Sequence, residues 1–206
     1  DELEKRGWLD KMSPNIRELL SDENGRVYGV PRDAYALGLM CNAELFEKAG
    51  LVDENGVPKF PKTFDELAET AKTIKDKTGA AGLCLLAKDN SGGWHFSNIA
   101  WNFGAELVKD NGDGTYTANL NSKEAVAAMQ YVYDLKWKYD VLTADPTAED
   151  WGTGFQQLGT GGAAMYIAAN DAVNQPTQTN GLAVEKLAMC AIPAGPDGDQ
   201  YSLTGG

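Results

Sequence analysis

Apolar and polar positions along the chain alternate between helical and strand-like spacing. The clearest helix begins at the capping box Thr63 to Glu66 and ends before Gly79. Its apolar positions recur every three or four residues, at Phe64, Leu67, Ala68, Ala71 and Ile74. We predict further helices over residues 14–20, 43–49, 93–103, 122–139 and 151–158, the second of them capped by Asn42 and closed by Gly50.

Strand-like segments lie between these helices. They are predicted over residues 26–30, 35–41, 82–87, 163–167 and 187–192, and one or two helical turns are predicted over residues 170–175. Because strands and helices alternate throughout, the sequence predicts an α/β domain with a layered sheet flanked by helices and without internal repeats.

The predicted helix after Ser122 carries large apolar residues on one side. They are Val126, Met129, Tyr133 and Trp137. We name this set the α6 stripe, where α6 is the helix predicted over residues 122–139. Spacings of three and four residues place them on one face of a helix. We predict that this face packs in the core.

Composition and charge narrow the classes of partner. The 206 residues carry 30 acidic against 18 basic side chains, a net charge of −12, and the basic residues form no cluster that could follow a phosphate backbone. No apolar run is long enough to cross a bilayer. The sequence therefore predicts that neither nucleic acid nor a membrane interior is a partner.

Metal and cofactor sites lack their usual patterns. Asp110 to Gly114 resembles a calcium loop but lacks the alternating acids and the terminal Glu, so we predict a turn. The three cysteines form no CxxC motif, and His95 is the only histidine. There is no dinucleotide or Walker A pattern. We predict no metal and no cofactor.

Catalytic residues are equally hard to assign. Nucleophilic catalysis needs a base beside a Ser or Cys, and we expect His95 to be a packed or surface histidine. A glycosidase needs only two carboxylates, so a glycan-acting hydrolase remains the enzyme alternative. We predict that the chain is not an enzyme and has no catalytic residue.

Aromatic residues are concentrated where helices or loops meet strands. Tyr35, Trp94, Trp101 and Trp151 have this setting. Aromatic faces stack on the CH faces of sugar rings, while Asp, Asn and backbone amides bind hydroxyl groups. The four residues are candidates for a carbohydrate site, with a place in the core as the alternative for each.

Seven ordered segments resemble the family 1 extracellular solute-binding proteins of ABC importers, over nearly the whole chain. The seven segments are Gly7-Trp8-Leu9, Gly25 to Pro31, Leu39 to Gly50, Pro61 to Leu67, Leu120 to Ala125, Phe155 to Met165 and Ile192 to Pro196. The resemblance implies a lobe of the periplasmic-binding-protein type II fold and an incomplete two-lobe protein. Residues 1–26 would be a remnant of the first lobe, and residues 27–206 the second lobe between two hinge crossings.

The resemblance also implies a function and a location. Such a protein binds a carbohydrate in the cleft between its lobes and delivers it to the membrane permease, as an extracytoplasmic monomer that is periplasmic or lipid-anchored. The two ends of the sequence, at Asp1 and Gly206, resemble cuts in a longer protein. We therefore expect an additional first lobe and C-terminal helices.

Site residues follow from the same resemblance. Asp33 and Tyr35 would face the cleft, Trp94 would be an aromatic ligand contact, and Gly205 and Gly206 would mark the return loop. Asp171 stands where many relatives carry a stacking Trp. This change disfavours a maltose-like solute and allows a smaller, more hydroxyl-dependent or cationic one, such as a polyamine.

Overall fold

A computed structural model describes residues 2–205 and divides them into two compact units. One takes in the residues up to Tyr35 together with those from Thr204 on, and the other is Ala36–Leu203. The predicted division into a first-lobe remnant over residues 1–26 and a second lobe over 27–206 stays a prediction.

Seven α-helices and seven strands are assigned within the described residues. The helices are α1 Glu2–Lys5, α2 Pro14–Leu19, α3 Ala43–Ala49, α4 Phe64–Thr78, α5 Asp89–Asn102, α6 Lys123–Trp137 and α7 Trp151–Thr160. The strands are β1 Tyr35–Asn42, β2 Ala81–Cys84, β3 Val108–Asp110, β4 Tyr116–Ala118, β5 Ala163–Ala169, β6 Leu187–Cys190 and β7 Thr204–Gly205. Short 3-10 or π-helical turns cover Leu9–Lys11, Pro146–Ala148, Asn170–Ala172, Gln175–Thr179 and Val184–Lys186.

The sheet of the larger unit has the strand order β2-β5-β1-β6. β2 and β5 are parallel, whereas β1 runs antiparallel to both β5 and β6. Alternate residues of β1 face opposite sides, so Leu39 and Cys41 join one buried cluster with α3, α4 and α6, while Met40 joins another with α7. Helices thus cover both faces of the sheet, which is the predicted α/β layering.

Local capping signals give the most accurate helix boundaries. The Asn42 side chain accepts from the backbone N–H groups of Glu44 and Leu45, and α3 ends at Gly50 with φ +73°. Thr63 caps α4 in the same way, and Gly79 ends it with φ +78°. A glycine suits both ends because the left-handed conformation carries no Cβ penalty there.

Several predicted strand limits are wrong. Residues 26–30 form no strand, since only Val27 makes an isolated bridge, to Ser21. β2 stops at Cys84 rather than at residue 87, and β6 stops at Cys190 rather than at residue 192. In each case the remaining residues have no paired strand within residues 2–205, and an unpaired segment is not a strand.

The predicted burial of the α6 stripe is also wrong. Val126, Met129, Tyr133 and Trp137 are exposed by 52%, 52%, 57% and 69%. The face of α6 that enters the core is instead made of Ala125, Ala128 and Leu135. Small residues let this helix approach its neighbours closely, which turns the larger apolar side chains outward.

Candidate functional site

One edge of the main sheet gathers several chain segments. β2 and β5 run parallel and reach this edge together, with Cys84 opposite Tyr166, and the antiparallel β1 starts there, with Leu37 opposite Ala169. The first turns of α5 follow β2 closely. The carboxyl ends of parallel strands are a frequent location for ligand sites in α/β folds.

Five aromatic rings from three elements meet at this edge, and we name them the aromatic cluster. They are Trp94 and His95 of α5, Trp151 and Phe155 of α7, and Tyr166 of β5. Trp94 and Trp151 pack edge to face, with ring centroids 4.6 Å apart and an interplanar angle of 79°. His95 lies against Trp151 at 5.4 Å and against Tyr166 at 5.7 Å, and Phe155 meets Tyr166 at 5.1 Å.

The cluster has a buried base and an accessible top. His95 and Tyr166 have no exposed surface, and Phe155 is 7% exposed. Trp94 is half-buried, whereas Trp151 is 37% exposed. A rigid aromatic surface with its lower rings fixed by packing can present an indole face to a flat apolar partner, and a sugar ring is one such partner.

His95 is a packing residue of this cluster. Its Nδ1 accepts from the backbone N–H of Leu86 at 3.4 Å, while Nε2 is buried without a hydrogen-bond partner. Burial lowers the His95 pKa to about 4, against a smaller opposing effect of the Ile167 backbone. The imidazole is therefore neutral at pH 7, in the packed setting that was one of the two expected from sequence.

Charged groups flank the cluster. Asp150 caps α7 through a reciprocal capping box with Thr153, and its carboxylate also binds Lys88 Nζ at 2.8 Å. The hydrogen bond from Lys88 and that from the Thr153 N–H lower the Asp150 pKa to about 2. The pair joins the first turn of α7, which carries Trp151, to the segment before α5.

Two polar residues follow β5 at the same edge. Asn170 Oδ1 accepts from the backbone N–H of Ala36 at 3.0 Å, which leaves the amide NH₂ of Asn170 available to donate. Asp171 is the next residue and is exposed. Amide donors and a carboxylate acceptor are the groups that hold hydroxyls or an ammonium group in binding sites.

Trp101 lies apart from the cluster. It is seven residues after Trp94 on α5, which is about 10 Å along the helix axis. Trp101 lines a separate cavity of about 450 Å³ with Tyr201, Glu106 and Asp199. The segment that carries Tyr201 is held by Asn102, whose Nδ2 donates to the Tyr201 carbonyl at 2.9 Å and whose Oδ1 accepts from its N–H at 2.7 Å.

The remaining predicted site residues belong to the smaller unit. Asp33 pairs with Arg32 at 3.1 Å and lines a cavity of about 490 Å³ whose walls include Trp8. Tyr35 is half-buried at the start of β1, and Gly205 is in β7. Gly206 lies outside the described residues. The structure thus brings together Trp94 and Trp151 among the predicted aromatics, with Asp171 after the neighbouring strand β5.

Sequence reasoning missed Tyr166, Lys88, Asp150 and Asn170. An Asp followed three residues later by Thr is a recognisable helix start, so Asp150 could have been found from its capping position. Lys88 carries no such signal, because its partner is 62 residues away. Across residues 2–205, no three or more His, Cys, Asp or Glu side chains are placed to hold a metal ion. No helix in that range is long and apolar enough to cross a membrane.

Comparison with known proteins gives relatives that are longer than this chain. A putative binding protein of Brucella abortus is 25% identical over 211 residues, which cover 99% of this chain and 46% of that protein. The diacetylchitobiose binding protein DasA of Streptomyces coelicolor is 27% identical over 179 residues, which cover 86% of this chain and 39% of DasA. The chain spans less than half the length of these two relatives.

Solved structures show the same fold. Maltose-bound MalE3 of T. maritima superposes with a TM-score of 0.83 at 25% identity, over 100% of this chain and 50% of MalE3. A solute-binding protein of Agrobacterium radiobacter in complex with ribitol gives a TM-score of 0.81 at 22% identity, over 100% and 50% of the two chains. These matches confirm the predicted periplasmic-binding-protein type II lobe.

A family model provides the last comparison. It describes the bacterial extracellular solute-binding proteins and matches residues 2–206, which is almost the entire chain. That match agrees with the seven ordered segments of the sequence and with the layered sheet. The chain belongs to the bacterial extracellular solute-binding protein family.

Proposed function

We propose that this chain is part of the extracytoplasmic solute-binding component of an ABC importer, and that it binds a carbohydrate without altering it. The observation that carries the proposal is the packing of Trp94 against Trp151, with centroids 4.6 Å apart, at the sheet edge where Asn170 and Asp171 also lie. DasA and MalE3, by their names, bind diacetylchitobiose and maltose. A sugar ring would stack on Trp151, and its hydroxyls would bind the Asn170 amide and the Asp171 carboxylate.

The electrostatics of the edge support binding rather than hydrolysis. A glycosidase needs one carboxyl group that stays protonated near neutral pH and a second carboxylate opposite it. Asp150, which directly precedes Trp151 of the cluster, instead has a pKa lowered to about 2 by Lys88 and Thr153. It is ionised, paired and committed to the start of α7, so it supplies no proton.

Solute delivery and location complete the proposal. The family is extracellular, and we infer that the protein acts at the outer face of the cell membrane, periplasmic or lipid-anchored. Its partner would be the permease of the importer, which a monomeric binding protein would engage after the two lobes close on the solute. Asp33, Tyr35, Gly205 and Gly206 are proposed as ligand-binding residues on the strength of the family resemblance alone.

Calorimetric titration of the complete gene product tests the proposal. The panel contains monosaccharides, oligosaccharides of glucose and N-acetylglucosamine, sugar alcohols, and the polyamines putrescine and spermidine. We expect saturable binding of a carbohydrate that changes little with added salt, since neutral hydroxyls carry no charge to screen. If only a polyamine binds, and salt weakens its binding, the carbohydrate proposal is wrong. The solute would then be a cation bound through Asp171.

A Trp variant identifies the surface that binds. Trp151→Ala should weaken the sugar at least about tenfold, or ~1.4 kcal/mol, because the ring loses its stacking face. Trp137→Ala is the matched control, since Trp137 is exposed by 69% on α6 and has no part in the cluster. Equal affinity for Trp151→Ala and the unmodified protein would remove Trp151 from the site.

A further inference from the structure

The pairing of β1 with β6 brings two cysteines to one face of the sheet. Cys41 is opposite Ala188 and Leu39 is opposite Cys190, so the two cysteines are diagonal neighbours on adjacent strands. The Cys41 S–H donates to the Leu39 carbonyl, with 3.7 Å between sulfur and oxygen. On the shared face the two thiols also interact with each other, with Cys41 as the donor and Cys190 as the acceptor.

The two thiols differ in accessibility and acidity. Cys41 is completely buried, and that burial raises its pKa. Cys190 is the last residue of β6 and is partly exposed, and the hydrogen bond from Cys41 lowers its pKa despite the opposing effect of burial. Because the thiolate is the nucleophile in thiol chemistry, Cys190 is the thiol that reacts first with a reagent from solvent.

We propose that Cys41 and Cys190 form a reversible disulfide that joins β1 to β6 when a small-molecule disulfide is present as the oxidant. The Cys190 thiolate attacks one sulfur of the oxidant, and the other sulfur leaves as a thiolate. Cys41 then loses its proton and attacks the Cys190 sulfur of the mixed disulfide, which releases the second thiolate. Two protein S–H bonds are replaced by one S–S bond, and the oxidant is reduced to two thiols.

The position of the pair makes this disulfide easy to reduce. Diagonal neighbours have Cα atoms about 7–8 Å apart, whereas disulfides prefer about 4.4–6.8 Å, so the strands must move closer and the bond is strained. Among the strands of residues 2–205, β6 stands at the end of the order β2-β5-β1-β6 with β1 as its neighbour, and it is four residues long, which lets it shift. Strained disulfides are the readily reduced ones.

The third cysteine provides an internal control. Cys84 is buried in the cluster on the opposite face of the sheet from Cys41. It lies on β2, two strands from β1, at about 10 Å for an interstrand spacing of about 4.8 Å. Oxidation should therefore remove two of the three thiols and leave Cys84 reduced.

The experiment incubates the reduced protein with oxidised glutathione under native conditions and counts thiols after unfolding. We expect three thiols to fall to one, a loss in intact mass equal to two hydrogen atoms, and a single linked pair of peptides that contain Cys41 and Cys190. Reduced glutathione in excess should restore three thiols without unfolding the protein. Three thiols remaining at equilibrium, or a linked peptide that contains Cys84, would overturn the proposal.

Variants in which one cysteine is replaced test the order of the steps. Cys41→Ala should stop at a stable mixed disulfide between glutathione and Cys190, because the resolving thiol is gone. Cys84→Ala should oxidise like the unmodified chain and is the matched control. Cys190→Ser should take up no glutathione in the folded state, since Cys41 is inaccessible. Glutathione on Cys41 rather than Cys190 would contradict the assigned roles.

Discussion

Acidification from pH 7 to pH 4.5 should destabilise the chain through its one histidine. In the folded chain the His95 pKa is about 4, whereas an unfolded His has a pKa of about 6.5. Because the His95 pKa is lower in the folded chain than in the unfolded chain, the unfolded state binds the proton first as the pH falls. Stability is therefore complete above about pH 6.5 and is lost as pH falls towards 4. The difference is worth about 2.5 kcal/mol at pH 4.5 and about 3 kcal/mol at lower pH.

The carboxylates act in a different pH range. Asp113, Asp140, Asp145 and Asp150 all have pKa values below the usual 3.8, because Thr or Lys side chains donate to them. For acids with depressed pKa values, the stabilisation is present above about 3.8 and is lost only as pH falls through the lower folded values. The change between pH 6.5 and 4.5 can then be attributed mainly to His95.

Urea unfolding at several pH values between 7 and 4.5 measures the effect. The free energy of unfolding should fall by about 2.5 kcal/mol over this range, with most of the fall below pH 6. His95→Asn is the control, because its side-chain oxygen can still accept from the Leu86 N–H without adding a titratable group. A flat profile for the unmodified chain, or the same slope in His95→Asn, would refute the assignment of a buried neutral imidazole.

Two further predictions concern α7 and α6. Gly154→Ala should destabilise the chain by about 1–3 kcal/mol, since the new Cβ would lie 2.6 Å from the Tyr166 ring. Gly152→Ala is the control: its new Cβ would have no contact under 3.5 Å, so the change should be neutral or stabilising in thermal melts. Met129→Gln on the α6 stripe should change the free energy of unfolding by less than about 0.5 kcal/mol, against about 2–5 kcal/mol for the buried Leu135→Ala. A large loss for Met129→Gln would mean that the stripe is covered after all.

The sequence predicts those parts of the fold that depend on neighbours along the chain. Asn42 and Gly50 delimit α3 because a cap and a left-handed end use backbone groups within one turn. The segment 26–30 has strand-forming residues but becomes no strand, because a strand also needs a partner that its own residues do not specify.

The α6 stripe shows a second limit. Spacings of three and four residues identify the helix correctly, yet both of its long faces are apolar. Periodicity shows that residues share a face but not which face is buried, and the size of the side chains favours the wrong face. The small residues Ala125 and Ala128 are the ones that pack there.

The candidate site could be anticipated by residue type but not by arrangement. The sequence favours Trp94 and Trp151 because each lies where helices or loops meet strands, but they are 57 positions apart and nothing local predicts their contact. The contact joins two helices, α5 after β2 and α7 before β5, and these two strands pair in parallel. Tertiary topology therefore supplies what residue patterns could not.

The edge-to-face contact of Trp94 with Trp151 also gives the chain an optical signature. Two indoles held 4.6 Å apart at a fixed angle share their electronic excitations, and a chiral pair of this kind produces strong near-ultraviolet circular dichroism. Among the described residues, Trp8, Trp101 and Trp137 form no ring pair with another indole. The signal of a coupled indole pair therefore comes from one sheet edge, and a molecule that binds on Trp151 should change that signal without any attached label.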